Sequence, residues 1–396
     1  MEELIHRVVI EKKTFCVTDS LDPLEDADYI LIDVQTPVDE RYVPQYVSLK
    51  EVSAEAGKRM KRGACVIIES TCAPGTTSYI VKDIIEKSSG MKAGEDFHLA
   101  FSYERVMVGR LLHNIINLPR IVGGFSPECT RKAVWLYKHF VKAELLETDC
   151  LTAEVAKVVE NAYRDVNIAF ANEVALACES LGVDVFDVRR FVNSLPNDPS
   201  NPSANPVRNL HFPGAGVGGH CLPKDSWLLK YGLDTYGTFK FEPKVIMESR
   251  FRNDLMPHHM IELLKEAMEE MSLSIKGAKV CVLGYAFLEN SDDTRNTPSR
   301  PLILELQEIG ADVVVHDPYL KEEDGITIHQ DLDYCLKDSD AVVLITKHKE
   351  YFDLEMARMK ELLKTPIIID GRNVWSPSEA RSMSFVYKGI GKKNNP

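Results

Sequence analysis

The chain of 396 residues is 44% hydrophobic and 27% charged, and 60 acidic against 47 basic residues leave a formal net charge of -13 at pH 7. That balance excludes nonspecific nucleic-acid binding, which needs Lys and Arg to neutralise phosphates, but it permits a local cationic site for a small anion. The length suffices for two or three domains with their own cores, and with neither a signal-peptide pattern nor an apolar run of roughly 18 residues, the expectation is a cytoplasmic protein without a membrane partner.

In chain order, residues 29–34, 64–68 and 97–101 are short apolar runs of the buried parallel-strand type, with helical patterns over 48–61 and 76–88 between them. This alternation predicts an α/β unit whose ligands lie beyond the carboxyl ends of its strands. Two of those ends carry Gln35-Thr36-Pro37 and Glu69-Ser70-Thr71. Thr152 is the expected N-cap of a long helix that stops at Gly182. Its expected buried stripe is Val155, Val158, Val159, Ala162, Val166, Ala169 and Phe170, with Lys157, Asn161 and Arg164 on another face. A second long helical pattern covers 243–271. The two helices read either as a spacer and subunit interface or as an internal helical layer. From Lys279 a second α/β unit follows, with strands expected at 280–284, 311–318, 341–345 and 366–370.

The stretch Gly214-Ala215-Gly216-Val217-Gly218-Gly219-His220-Cys221-Leu222-Pro223-Lys224-Asp225 is the most informative of all. Gly214, Gly216 and Gly219 satisfy the spacing of a dinucleotide fingerprint, yet no buried strand precedes them, and Pro223 is tolerated only in a helix's first turn. The better reading is a glycine-rich loop that lets backbone approach a ligand and presents Cys221. A cysteine becomes a nucleophile where cations or helix N-termini favour its thiolate, and His220 and Lys224 are its neighbours. The alternative is a structural cysteine in a ligand loop. Most of the other eight cysteines lie in apolar runs, and an odd total without any C-x-x-C pair points to neither a metal site nor a disulfide framework.

Other candidates stand at strand ends or on helix faces. Lys157 and Asn161, one turn apart, either donate jointly to an oxyanion or form a solvated face. Glu104-Arg105 reads as a general base with its neighbour or as a surface ion pair. Asp292-Asp293-Thr294-Arg295 follows a strand and turn, and so does Arg372, whose planar guanidinium suits phosphate.

These blocks together are similar to the UDP-glucose/GDP-mannose dehydrogenase family over nearly the whole chain. The resemblance rests on Ser70-Thr71 with Pro74-Gly75-Thr76-Thr77, Glu104-Arg105-Val106, Lys157 with Asn161, Gly218-Gly219-His220-Cys221 with Asp225, Asp292-Asp293-Thr294-Arg295 and Asp370-Gly371-Arg372-Asn373. The Gly-Gly-His-Cys form, with residues 250–257 behind it, most resembles the branch acting on UDP-N-acetylhexosamines, N-acetylmannosamine foremost, and its archaeal members. The resemblance implies an α/β fold with two Rossmann-like domains joined by a central helical domain. The expected parts are a partial NAD-binding domain (1–148), a helical dimerisation domain with the cysteine loop (149–272) and a UDP-sugar-binding domain (273–396). It further implies NAD as cofactor, a UDP-sugar as substrate, no metal, and a homodimer or higher homo-oligomer. The implied reaction is four-electron oxidation of a sugar C6 hydroxyl to the uronate, for surface polysaccharide.

By the same resemblance, Cys221 attacks the intermediate aldehyde, Lys157 and Asn161 stabilise the oxyanion, and Asp225 orients Lys157 and a water. Glu104 with Thr71 serves the acid–base and hydrolytic steps. Val34, Thr36, Ser70, Thr71 and Arg295 fall where the family contacts NAD. Phe212, Gly214, Gly216, Gly218 and Arg372 fall where it holds the nucleotide sugar, and Arg208 where an arginine reaches the neighbouring subunit's site. The chain departs from the family pattern at its start, which lacks the strand–GxGxxG–helix–strand unit, so the first domain is expected to be incomplete. Either the true start lies upstream, or the product binds nucleotide sugar with impaired cofactor binding. Leu288 replaces a substrate-binding lysine of many members, and Tyr103 replaces a proline. The gluco and galacto epimers and UDP-glucose are alternative substrates, and a two-electron hydroxyacid dehydrogenase, which needs no cysteine, is a third reading.

Overall fold

The computed structural model describes residues 2–106, 110–195, 200 and 209–393. The chain forms two compact units, Met1–Val159 with Trp227–Glu242, and Glu160–Ser226 with Pro243–Pro396. The segment expected as a central helical domain is divided between them.

In the first unit β1 (Tyr29–Ile32), β2 (Cys65–Ile68) and β3 (His98–Phe101) pair in parallel, as their apolar runs predict. Helices α1 (Val47–Arg59) and α2 (Lys82–Ser89) follow β1 and β2. Val66, Ile67 and Ile68 are wholly buried, which a strand covered on both faces requires. β1 ends two residues earlier than expected, because Val34 leaves the ladder for a side chain: its N–H donates to Ser70 Oγ at 2.7 Å and its carbonyl accepts from the same hydroxyl at 2.8 Å. The sheet continues through two strands absent from the sequence reading. β4 (Arg120–Gly124) is antiparallel to β3 and parallel to β5 (Leu145–Asp149), with α3 (Pro127–Tyr137) between them. Gly123 and Gly124 weaken the strand signal, but a Cβ at Gly123 would stand 2.3 Å from the Asp149 carbonyl oxygen. Close approach, not strand preference, explains that pair.

Helix α4 (Cys150–Leu181) corrects two expectations. Its cap is Asp149, not Thr152: the Asp149 carboxylate accepts from the Thr152 N–H at 2.9 Å and from its hydroxyl at 2.7 Å. Its buried face is only partly the expected one: Val158, Ala162 and Ala169 are buried and Val155 and Val166 half-buried, but Val159 and Phe170 are 40% and 62% exposed, while the polar Glu154, Lys157, Asp165 and Asn172 are buried. Together with half-buried Asn161 these polar residues recur at three- and four-residue steps, so a polar stripe occupies an inner face. The helix does stop before Gly182, at φ 69°.

Helix α5 (Leu222–Tyr236) opens directly after Cys221 with Pro223 in its first turn. In the second unit the pattern over 243–271 is two helices, α6 (Lys244–Asp254) and α7 (Met256–Glu270), because Pro257 lacks the N–H that would carry the ladder across. The sheet there has the order β12-β11-β10-β6-β7-β9-β8. β6 (Lys279–Leu283), β7 (Asp312–His316), β10 (Ala341–Leu344) and β11 (Ile367–Asp370) fall at the four expected runs. β8 (Glu322–Glu323), β9 (Ile326–His329) and β12 (Val386–Gly389) extend the sheet, with β8–β9 its antiparallel pair. Met260, Leu264 and Met268 of α7 pack with Val280, Val282, Val343 and Ile369 into one core. Both sheets are largely parallel, and the fold is α/β as expected.

The second unit also contains a fully buried ion pair. Arg250 donates to Asp165 at 2.6 Å, and Asn253 donates to the same carboxylate oxygen at 2.8 Å. Removing one partner of such a pair strands a charge in the interior. Arg250→Met is therefore expected to destabilise the protein by about 3–5 kcal/mol, read as a lowered urea midpoint; an unchanged midpoint would show that the pair contributes nothing.

Candidate active site

At the carboxyl ends of β1 and β2, hydroxyls do the joining. Ser70 Oγ ties to both main-chain groups of Val34, and Thr36 Oγ1 donates to the Thr71 carbonyl. The result is a braced shelf at the position where parallel sheets bind nucleotides. Behind it, the buried Glu154 carboxylate accepts from the N–H groups of Gly75 at 2.6 Å and Thr77 at 2.8 Å, and from the Cys72 thiol at 3.4 Å. Gly75 needs to be glycine: its φ is 95°, and a Cβ would meet the Tyr236 ring at 2.5 Å. Burial pushes the Glu154 carboxyl up to about 7, against the pull of its donors.

One turn further along α4, Lys157 is buried; its Nζ donates to the Glu104 carbonyl at 3.1 Å and lies 5.1 Å from the Tyr103 ring centre. The segment carrying Glu104 is held from behind. Arg120 donates through Nε to Ser102 Oγ at 2.9 Å and through Nη2 to the Ser102 carbonyl at 3.0 Å and to Glu69, which also accepts from the Tyr137 hydroxyl at 2.6 Å. Burial raises the Glu69 carboxyl while Arg120 opposes the rise. The Glu104 carboxylate itself accepts from the Val106 N–H. Arg105 Nη1 donates to the Pro119 carbonyl at 3.0 Å.

In the second unit, Cys221 is half-buried, whereas seven other cysteines are buried and Cys16 is exposed. Its carbonyl accepts from the N–H groups of Lys224 and Asp225, so the thiol sits at the N-terminal end of α5, where the helix field favours an anion. The His220 ring nitrogen Nε2 lies 3.4 Å from its Sγ. Asp225 is fully buried and accepts from Asn161 Nδ2 at 2.6 Å and Lys224 Nζ at 2.9 Å. The partners of Asp225 are thus Asn161 and Lys224, where the resemblance implied Lys157.

The glycine loop is pinned along its length. The Gly214 N–H donates to Asn172 Oδ1 at 2.9 Å, the Gly219 N–H to the Arg295 carbonyl at 2.8 Å, and Asn296 donates to the Gly219 carbonyl at 3.1 Å. Gly216, at φ 121°, lies against Pro298 and Pro257, and a Cβ on Gly218 would stand 2.4 Å from that of Phe287. Arg372 turns its guanidinium to backbone: Nε donates to the Ile345 carbonyl at 2.6 Å and Nη2 to that of Gly216 at 3.2 Å. Arg295 is paired with Asp293 through Nε at 2.8 Å. Phe212 is exposed and carries the Arg189 guanidinium on its face at 3.6 Å. Leu288 is half-buried. Arg208 lies outside the described residues. Glu154, Arg120, Asp165 and Asn172 escaped the sequence reading, because a polar residue in an otherwise apolar-looking helix or strand reads as surface.

The first unit's parallel sheet with hydroxyl-braced strand ends has the form of a nucleotide-binding α/β unit, and the second unit carries a thiol at a helix start beside an amide, a carboxylate and cations. The chain belongs to the UDP-glucose/GDP-mannose dehydrogenase family: residues 1–141 match its NAD binding domain, 151–254 its central domain and 281–377 its UDP binding domain. It is similar to the UDP-N-acetyl-D-mannosamine dehydrogenase of Pyrococcus horikoshii, 34% identical over 95% of this chain and 84% of that one. The crystal structure of an NDP-N-acetyl-D-galactosaminuronic acid dehydrogenase from Methanosarcina mazei Go1 is 40% identical and superposes with a TM-score of 0.92, over 99% of this chain and 83% of that one. A solved UDP-D-ManNAc dehydrogenase from P. horikoshii superposes at 0.88 with 34% identity, over 98% and 87%. The protein is therefore an NAD-dependent nucleotide-sugar oxidoreductase. The braced shelf fits the dinucleotide: the main-chain groups of Val34, Thr36 and Thr71 stand at adjacent parallel strand ends, fixed by hydroxyls of Ser70 and Thr36.

Glu154 has a titration consequence. Its folded pKa exceeds the ordinary 4.5, so the folded state holds this proton more tightly than the unfolded chain. Its contribution to stability is complete below pH 4.5 and lost as pH rises towards about 7. Glu154→Gln is expected to flatten that part of the stability profile, measured by thermal unfolding between pH 5 and 8; an unaltered slope would assign the effect elsewhere.

Proposed function

We propose that the protein oxidises C6 of a UDP-N-acetylhexosamine, UDP-N-acetyl-D-mannosamine first, from alcohol to carboxylate in two hydride steps through a covalent bond to Cys221. One observation carries this reading: the half-open Cys221 thiol stands at the start of α5, with Asp225 one turn on, held by Asn161 and Lys224. A two-electron oxidation stopping at a ketone or aldehyde has no use for such a thiol.

NAD, when bound, takes the hydride in each oxidation. The residues of the chain do the rest. As the alcohol becomes an aldehyde its proton passes to a base, for which Glu104 with Thr71 is proposed. Sγ of Cys221 then bonds to C6 and the carbonyl π pair moves onto oxygen, an oxyanion stabilised by Lys157 and Asn161, one turn apart on α4. The oxygen lone pair then re-forms the C=O bond as the thiohemiacetal oxyanion gives up its second hydride, leaving a thioester. Water, oriented by Asp225 and deprotonated by Glu104, attacks C6; the C–S bond breaks, and carboxylate and sulfur separate. Val34, Thr36, Ser70, Thr71 and Arg295 serve the cofactor. Gly214, Gly216 and Gly218 offer backbone to the nucleotide sugar, with Phe212 at the rim, and Arg372 holds the loop in shape. The proposed setting is the cytoplasm and the proposed assembly a homodimer or higher homo-oligomer.

The likeness to the M. mazei NDP-N-acetyl-D-galactosaminuronic acid dehydrogenase favours a second substrate reading, the galacto epimer. Incubation with NAD and either UDP-N-acetylmannosamine or UDP-N-acetylgalactosamine is expected to yield two NADH per uronate with the preferred epimer. Cys221→Ala is expected to cut uronate formation by at least about a thousandfold, followed by mass spectrometry of the product. Undiminished uronate from Cys221→Ala would overturn the covalent route, and nucleotide-sugar binding without any NADH would make this a binding protein.

A further inference from the structure

Resting on the covalent role proposed for Cys221, we infer that His220 is a further catalytic residue: its Nε2, 3.4 Å from Sγ, takes the thiol proton as sulfur bonds to C6 and returns it when the thioester is cleaved. Sulfur cannot add as the neutral thiol without shedding its proton, so some acceptor has to stand within reach of Sγ. The two carboxylates that act electrostatically on the His220 ring are themselves engaged. Asp225 is occupied by Asn161 and Lys224, and Asp293 by the Nε and Nη2 of Arg295. The imidazole is within hydrogen-bonding distance of sulfur and lies partly open to solvent, so a proton it receives has a way out.

Its position is built, not incidental. Gly219, immediately before it, has φ 89°, donates its N–H to the Arg295 carbonyl and accepts from Asn296, so the peptide leading into His220 is clamped on both sides. The carbonyl of Cys221, immediately after it, is fixed by the first turn of α5. Backbone on either side being held, the ring and the thiol keep their approach.

The charges around the ring tune it for this task. Desolvation first, then Arg295 and Lys224, hold its pKa below the ordinary histidine value, with Asp225 and Asp293 pulling weakly the other way. These causes favour the neutral ring, the form able to accept a proton. The same cations that discourage a lasting imidazolium favour a thiolate. Arg295 interacts with Cys221 electrostatically as well as with Asp293. When the proton moves, one electron pair of Nε2 forms the N–H bond as the S–H pair becomes the new S–C bond, and hydrolysis reverses the transfer.

The test is alkylation of Cys221 by iodoacetamide in the full-length protein across pH 5.5–9.5, with modification located by peptide mass spectrometry, in the parent, His220→Gln and His220→Asn. Neither amide can take a proton. The expected result is a roughly tenfold slower alkylation at pH 7 in both variants and a reaction midpoint moved up by about one pH unit towards the ordinary thiol range. Turnover of UDP-N-acetylmannosamine is expected to fall about a hundredfold at pH 7 with its KM kept, and to recover substantially by pH 9, where the thiol ionises unaided. A purely structural role for the ring would give no rescue by pH. Identical alkylation profiles in parent and variants would overturn the inference. If instead Cys221→Ala still forms uronate, the covalent reading itself falls, whatever the alkylation profiles show.

Discussion

A loop of glycines has almost nothing of its own with which to hold a shape, and the buried polar relay behind residues 214–221 supplies what it lacks. Arg250 pairs with Asp165; Asn253 donates to Asp165 and accepts from Asn172; Asn172 accepts from the Gly214 N–H. Each amide both donates and accepts, so its orientation is determined by its neighbours. The relay fixes one end of the loop, and the Gly219–Arg295–Asn296 contacts fix the other. Between them Arg372 accepts no ligand role through its Nε: that donor is committed to the Ile345 carbonyl, and Nη2 to Gly216. Side-chain removal from the loop makes room for ligand, and side chains elsewhere take over the work of rigidity.

The electrostatics of the thiol follow from the same arrangement. Cys221 stands at a helix N-terminus, with Lys224 one turn in and Arg295 across from it, and both cations are partly compensated by Asp225 and Asp293. Full compensation would cancel the field at sulfur; bare cations would attract water and counterions. Compensation by a carboxylate that is also bonded to Asn161 leaves a local dipole oriented by geometry. Asp225 thus couples two demands, keeping Lys224 in place and orienting the amide that is proposed to meet the oxyanion.

Much of this was legible in the sequence, and the exceptions share a cause. The strands β2, β3, β6, β10 and β11 are apolar runs, and buried parallel strands have no other way to look. Cys221 drew a chemical reading because it is a thiol in a glycine-rich loop, whereas Asp225 entered only through the family resemblance. In helix α4 hydrophobic periodicity put Val158, Ala162 and Ala169 inside, where they are, but it also put the exposed Val159 and Phe170 there and missed the buried polar residues Glu154, Lys157, Asp165 and Asn172. Patterning measures which face avoids water only when the core is apolar; here the helix also serves buried polar partners on Gly75, Arg250 and Gly214. β4 was missed because its glycines exist for close approach, and the division of 243–271 because Pro257 was weighed less than the periodicity around it.

Tyr103 shows how a departure from the family pattern can be accommodated. The residue is buried, and its ring takes two cations, with Lys157 Nζ at 5.1 Å and the Arg105 guanidinium at 5.5 Å. A proline there would offer neither a π face nor a hydroxyl. Lys157 gains from the ring an attraction of about 0.5–2 kcal/mol that demands no fixed hydrogen-bond direction, so the ammonium keeps its remaining donors while one is held by the Glu104 carbonyl. A carboxylate in place of the ring would bind the ammonium more strongly and in one direction. The ring therefore suits the role proposed for Lys157, that of a cation near at hand yet free to turn towards a developing oxyanion.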